Sequence, residues 1–170
     1  MDVKIKDIKI KHLSKNNTKA FEIYANIIPA NNIICGKEVN FMELTFDEVS
    51  VIKRLLTRNT DESLKMIIKI FTDEKIENVF YYELISFIKW LTKTIIEFQT
   101  KENELSVTDS KMLSAGIERL NMFGELNTKI QLAEQFGKLP SDIGKMTYVQ
   151  VLQIMSYNSV KHQIQKELNK

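Results

Sequence analysis

Histidine and cysteine, the side chains most often recruited for nucleophilic, acid–base and metal chemistry near neutral pH, are scarce here: His12, His162 and Cys35. A hydrolytic triad needs an imidazole held between a nucleophile and a carboxylate, and no spacing pairs either histidine with Cys35 or with a strained serine. Two histidines and one cysteine so far apart give no metal-ligand pattern. The five glycines are isolated from one another, so no glycine-rich loop is set to cradle a phosphate. Three acidic pairs remain, Asp47-Glu48, Asp61-Glu62 and Asp73-Glu74. Each has the composition of an acid–base couple, but each opens or precedes a helical stretch, where carboxylates complement the positive end of the macrodipole. The sequence predicts no enzyme, no metal and no cofactor.

A second kind of chemistry, base reading, is suggested by Leu132-Ala133-Glu134-Gln135-Phe136-Gly137-Lys138-Leu139-Pro140-Ser141-Asp142-Ile143. Its Ala, Gly and Ile are spaced as in a helix-turn-helix: the small residue admits a neighbouring helix, the glycine turns the chain, and the isoleucine packs the second helix back. That second helix should carry base-reading and phosphate-binding side chains into the major groove. It offers Ser141, Asp142, Gly144 and Lys145 behind Leu139 and Pro140, one cation against one acid. A DNA-binding regulator is therefore an alternative, and a structural turn is the reading favoured.

The third possibility is partner binding. Between Val79 and Thr100 the polar residues Glu83, Ser86, Lys89, Lys93 and Glu97 step by three or four and form one narrow stripe. Nearly all the rest is large and apolar, so neighbours must wrap this helix on several sides. Two readings stay open: a central core helix, or a helix with part of its circumference left for another apolar helix. The candidate partner-binding residues are Tyr81, Phe87, Trp90, Ile95 and Phe98, with Met112, Met122 and Phe123 from the following segment. Six methionines beside Met1 are adaptable apolar surface or ordinary core filler.

The elements that position these residues follow from composition and period. The chain has 170 residues, about one domain's worth, with 44% hydrophobic and 27% charged residues, enough to bury a core. Five glycines and two prolines lie far below the roughly 12% that the pair averages, which favours long helices over short strands and turns. Net charge is +2 from 24 basic and 22 acidic residues, so no global field attracts nucleic acid or membrane. The lysine-rich ends are read as solubilising. The N-terminus alternates Lys and Ile without the continuous apolar core of a signal peptide. The most apolar stretch is broken by charges. An intracellular protein outside the membrane is expected.

Val3, Ile5, Ile8 and Ile10 alternate with a slip at Asp7, suggesting a bulged strand. Phe21 to Ile28 and Val39 to Leu44 are further short candidates, so residues 1–44 are expected to form a small β-containing N-terminal segment. From residue 45 the period becomes helical. Thr45 and Glu48 make a capping box, Asn59-Thr60-Asp61 restarts a helix, and Ser106 with Asp109 starts another after a polar linker at residues 100–106. Gly124 bends or splits the chain, and Gly137 is a C-cap. Thr147 with Gln150 opens a last helix whose apolar set includes Leu152, Met155, Val160, Ile164 and Leu168. The fold class expected is mainly α: about five or six helices in residues 45–170, with the small N-terminal β element packed as part of one unit.

The Leu132 to Ile143 stretch, followed by Met146-Thr147-Tyr148 and a closing helix, resembles the C-terminal part of tailed-phage tail assembly chaperones, with Leu139 where that family more typically carries an aromatic residue. Upstream, Ile28-Pro29, Gly36-Lys37-Glu38-Val39, Met42 and Leu44-Thr45-Phe46-Asp47-Glu48 are similar in layout to baseplate-hub assembly proteins of contractile-tailed phages. The resemblance covers about half the chain. It implies a non-catalytic, chaperone-like helper, a late protein of viral tail or baseplate assembly acting in the host cytoplasm. Its partners would be phage tail or baseplate proteins, such as the long helical tape-measure protein, with self-association a further option and neither nucleic acid nor membrane involved. A structural subunit of the tail or baseplate, retained in the virion, is the alternative.

Overall fold

The computed structural model describes residues 26–105 and 117–169. The strand expected around Val3 to Ile10, the first five residues of the apolar run Phe21 to Ile28, and the helix start at Ser106 lie outside these residues. The described chain is mainly α-helical with a small β element near its N-terminal side. β1 (Ile33–Ile34) and β2 (Lys37–Glu38) form an antiparallel hairpin, pairing Ile33 with Glu38 and Ile34 with Lys37. Its two turn residues, Cys35 and Gly36, both have positive φ, 52° and 71°, the conformation of the type I′ hairpin turn. A short 3-10 turn (Phe41–Glu43) leads to α1 (Phe46–Arg58) and α2 (Asp61–Phe71). After a further 3-10 turn, Ile76–Asn78, come α3 (Tyr81–Leu105), the 3-10 segment Ile117–Phe123, α4 (Glu125–Phe136), α5 (Pro140–Gly144) and α6 (Tyr148–Leu168).

The helix boundaries are chemical. Thr45 Oγ1 accepts from Glu48 N–H at 3.2 Å while the Glu48 carboxylate accepts from Thr45 N–H at 2.8 Å. Thr147 and Gln150 repeat the arrangement at 3.3 and 3.2 Å. Thr60 caps α2 through Ser63 N–H, and Gly137 closes α4 in the left-handed conformation that glycine enters without a Cβ clash. Gly124, also at positive φ, separates the 3-10 segment from α4. One expectation is corrected. Residues 100–105 continue α3 rather than forming a linker, because Lys101 lies over the Phe98 ring and Glu102 accepts a hydrogen bond from Tyr148.

The period changes at Thr45, whereas packing groups the described chain into two units: residues 26–40 with 52–97, and 41–51 with 98–169. In the first, Ile34, Ile52, Ile67, Ile68, Phe87 and Leu91 are fully buried or nearly so. Phe71 meets Phe87 edge-on, ring centroids 5.0 Å apart.

The second unit is organised by two reciprocal backbone bonds. Phe46 N–H donates to the Met146 carbonyl and Tyr148 N–H to the Leu44 carbonyl, both at 2.9 Å, an antiparallel bridge centred on Thr45 and Thr147. Phe46 and Tyr148 are the first residues of α1 and α6. Each helix thereby satisfies one of the orphan amides that a helix start leaves behind. The fully buried Tyr148 ring sits among Phe41, Phe46 and Phe98, at centroid distances of 6.0, 5.8 and 5.9 Å. Its hydroxyl donates to Glu102 at 2.8 Å. Nearby, Gly144 approaches α1 so closely that a Cβ would overlap the Asp47 carboxylate, which pairs with Lys129 at 2.8 Å.

Tyr148→Phe keeps the ring and removes one hydrogen bond, so it should cost about 1–2 kcal/mol. Tyr148→Ala should cost about 3–5 kcal/mol, and Thr147→Ala about 1 kcal/mol. Urea unfolding of the three variants checks this order.

Candidate partner-binding surface

The residues singled out from the sequence separate into core and surface. Phe87 is 0% exposed and Ile95 5%. Both belong to the core of the first unit, a correction to their reading as partner contacts: Phe71 and Trp90 flank Phe87, the latter with ring centroids 5.6 Å away. Tyr81 and Trp90 are half-buried. Phe98, also half-buried, stacks on Phe41 at 4.9 Å and touches the Tyr148 ring. Met112 lies outside the described residues. Met122, 81% exposed, and Phe123 stand at the surface ahead of α4.

The polar stripe of α3 has partners within the first unit. Its first three members anchor the irregular N-terminal strap of the first unit. Lys89 Nζ donates to the Ile28 and Asn26 carbonyls at 2.8 and 3.2 Å, and Ser86 Oγ to the Pro29 carbonyl at 2.6 Å. Glu83 accepts from Gly36 N–H at 3.0 Å. The Ser86 carbonyl accepts from Asn31 N–H at 3.1 Å. Only Lys93 and Glu97 keep largely exposed side chains, 3.9 Å apart. The strap thus lies along the polar face of the helix itself.

Between the hairpin and the chain leaving α2 lies an open cleft of about 1300 Å³, into which Cys35, Thr72 and Glu83 project. Burial pushes the Cys35 thiol above its ordinary pKa, against the Thr72 hydroxyl that hydrogen-bonds the sulfur; Glu83 and Glu74 push the same way as burial. A thiol held protonated is a poor nucleophile. Among the described residues no cluster of His, Cys, Asp or Glu is arranged to hold a metal ion, and no helix is long and apolar enough to cross a membrane.

The surface that stands out is on the second unit. α6 buries Tyr148, Val151, Leu152 and Ser159. At 100° per residue these lie on one side, and Tyr157, Val160, Ile164 and Leu168 lie on the opposite side. All four of the latter are exposed, Tyr157 at 65% and Leu168 at 80%. Of the apolar residues that the sequence assigns to this last helix, Leu152 is buried, whereas Val160, Ile164 and Leu168 lie on the opposite, exposed face. Where α6 runs beside the end of α4, an open groove of about 360 Å³ has Phe136, Met146, Ile154 and Tyr157 in its lining. Gln135 and Asn158 hold the two helices together by mutual amide hydrogen bonds of 3.2 and 2.7 Å.

The second helix of the helix-turn-helix pattern, α5, is a single turn, and its Ile143 and Gly144 are buried. Leu139 N–H donates to Asp142 at 3.3 Å, and Pro140 occupies the first helical position. The element expected in a major groove is thus one turn long.

Compared with protein-family models, curated proteins and solved structures, the chain matches none.

Phe87→Ala should destabilise the protein by about 3–5 kcal/mol, whereas Phe136→Ala in the exposed groove should cost under about 1 kcal/mol; thermal melts separate the two. Cys35 should alkylate more slowly than free cysteine at mildly alkaline pH. Because its folded pKa is raised, the stability it contributes is present below the unfolded pKa and is lost as pH rises through the folded one. Iodoacetamide rates against pH check the first expectation, and urea unfolding midpoints against pH check the second.

Proposed function

We propose that the protein is a non-catalytic, chaperone-like assembly factor that binds a helical partner through the second apolar face of α6 and the adjoining groove on α4. The observation that carries this reading is the exposure of Tyr157, Val160, Ile164 and Leu168 on the side of α6 opposite its buried residues. Soluble proteins seldom leave contiguous apolar surface uncovered without a partner or self-association to hide it. An apolar stripe on a helix, beside a trough between two helices, suits helix-in-groove recognition. The resemblance to tail assembly chaperones and baseplate-hub assembly proteins gives the context: a phage tail or baseplate protein, with the tape-measure protein as partner, held in the host cytoplasm before assembly.

The test is co-expression with the tape-measure protein of the same phage genome. Tyr157→Asp combined with Ile164→Asp should reduce co-purification at least about tenfold, with an unchanged melting temperature. Equal capture by wild type and variant contradicts the reading. Recovery of the protein in stoichiometric amounts from purified mature particles would make it a retained structural subunit.

A further inference from the structure

The strap of the first unit climbs α3 in one direction. Gly36 is held at Glu83, Pro29 and Asn31 at Ser86, and Ile28 and Asn26 at Lys89. Read backwards, the chain advances about one turn toward the C-terminus of α3 at each anchor. The next two turns of α3 carry an open groove of about 430 Å³, bordered by the rows Ile88-Thr92-Ile96 and Lys89-Lys93-Glu97. Ile96 is 57% exposed, with Ile88 and Thr92 half-buried. The charges on the border are already engaged, Lys89 with the strap carbonyls and Lys93 with Glu97 at 3.9 Å. The described residues begin at Asn26, whose carbonyl bonds Lys89, itself part of that border.

We propose that residues 18–25 of this chain fill the groove as a helix running antiparallel to α3. Position supports this occupant, since the chain upstream of Asn26 departs from the edge of the groove, in line with the climb of the strap. Length agrees: Lys89 to Ile96 is about 10 Å along α3, and eight helical residues span about 12 Å. Pattern agrees as well. Asn26 and Ile27 already have helical conformation, and at 100° per residue Phe21, Tyr24, Ala25 and Ile28 fall on one face. Ile28 is 6% exposed, so that face is turned into the protein where the described residues begin, while Ile27, off the face, is 72% exposed. Lys19, Glu22 and Ile23 fall off the face with Ile27, so docking buries no charge. A row of one helix laid between two rows of another is a common helix packing, and the tether at Lys89 makes the docking intramolecular. The inference is independent of the reading of α6. It closes an apolar stretch of α3 to outside partners.

Amide hydrogen exchange of the full chain, read peptide by peptide in a mass spectrometer, tests this. Residues 21–25 should exchange at least about tenfold more slowly than the same residues in a short synthetic peptide. Ile96→Asp in the groove and Phe21→Asp in the segment should each return them to the peptide rate. Met66→Asp, on the exposed face of α2, should leave their protection intact. Residues 148–159 of α6 should exchange equally slowly in all variants, which shows that the fold is kept. If Ile96→Asp alters α6 as well, Ile96→Ser replaces it and should lower the protection of residues 21–25 at least about threefold.

Exchange of residues 21–25 at the peptide rate in the wild-type chain overturns the inference. Protection that survives the Ile96 variants overturns it too, because the segment then packs elsewhere. Loss of protection at residues 106–116 instead, in Ile96→Asp, would give the groove to the stretch that follows α3. Protection that disappears on dilution, together with a dimer in sedimentation, would place the segment on a second copy. Either result overturns the inference.

Discussion

Two helix starts that face each other organise the second unit. A helix begins with amides that have no partner inside it, and burying such a start without compensation is costly. Here Phe46 and Tyr148 each give their first amide to the strand-like residues preceding the other helix, and a side-chain box at Thr45 and Thr147 satisfies a further amide at each start. The bridge fixes Tyr148 at the centre of an aromatic cluster, and the ring's hydroxyl leaves through Glu102. The nearby approach of Gly144 to Asp47, and of Asp47 to Lys129, adds a charged clasp beside the same helix start. α6 then runs on from Val160 to Leu168, about two and a half turns, with no further residue buried.

What was legible beforehand was local. The boxes at Thr45 and Thr147, the restart at Thr60 and the glycine end at Gly137 each depend on residues within a few positions of one another, and all are present. That the two boxes pair was not legible, since nothing in either tetrapeptide reports a backbone partner distant in sequence. The α3 stripe shows the same limit in another form. Glu83, Ser86 and Lys89 have the spacing of a solvated face, and spacing does not distinguish water from the carbonyls and amides of a strap.

The candidate surface was missed for a related reason. Apolar residues on α6 fall on two opposite faces, and a periodicity argument that collects them into one set hides the division. Separating Tyr148, Val151 and Leu152 from Tyr157, Ile164 and Leu168 by helical angle would have exposed it. Which face the protein covers itself is set by long-range packing, in this case by Phe41, Phe46 and Phe98 converging on Tyr148. Of the α3 residues singled out instead, Phe87 and Ile95 are apolar because they are core.

The strap across α3 carries a consequence for how this region tolerates genetic change. Glu83, Ser86 and Lys89 grip main-chain atoms of Asn26, Ile28, Pro29 and Gly36, and backbone groups are the same whatever side chain they bear. Point substitutions between these anchors therefore leave the grip unaltered, apart from the buried Ile28 and Ile34 and the positive-φ turn. Insertions and deletions are another matter. One residue added or lost between Pro29 and Gly36 shifts every later carbonyl and amide out of step with side chains fixed on a rigid helix. Alphabet is loosely constrained along this segment, and length is tightly constrained.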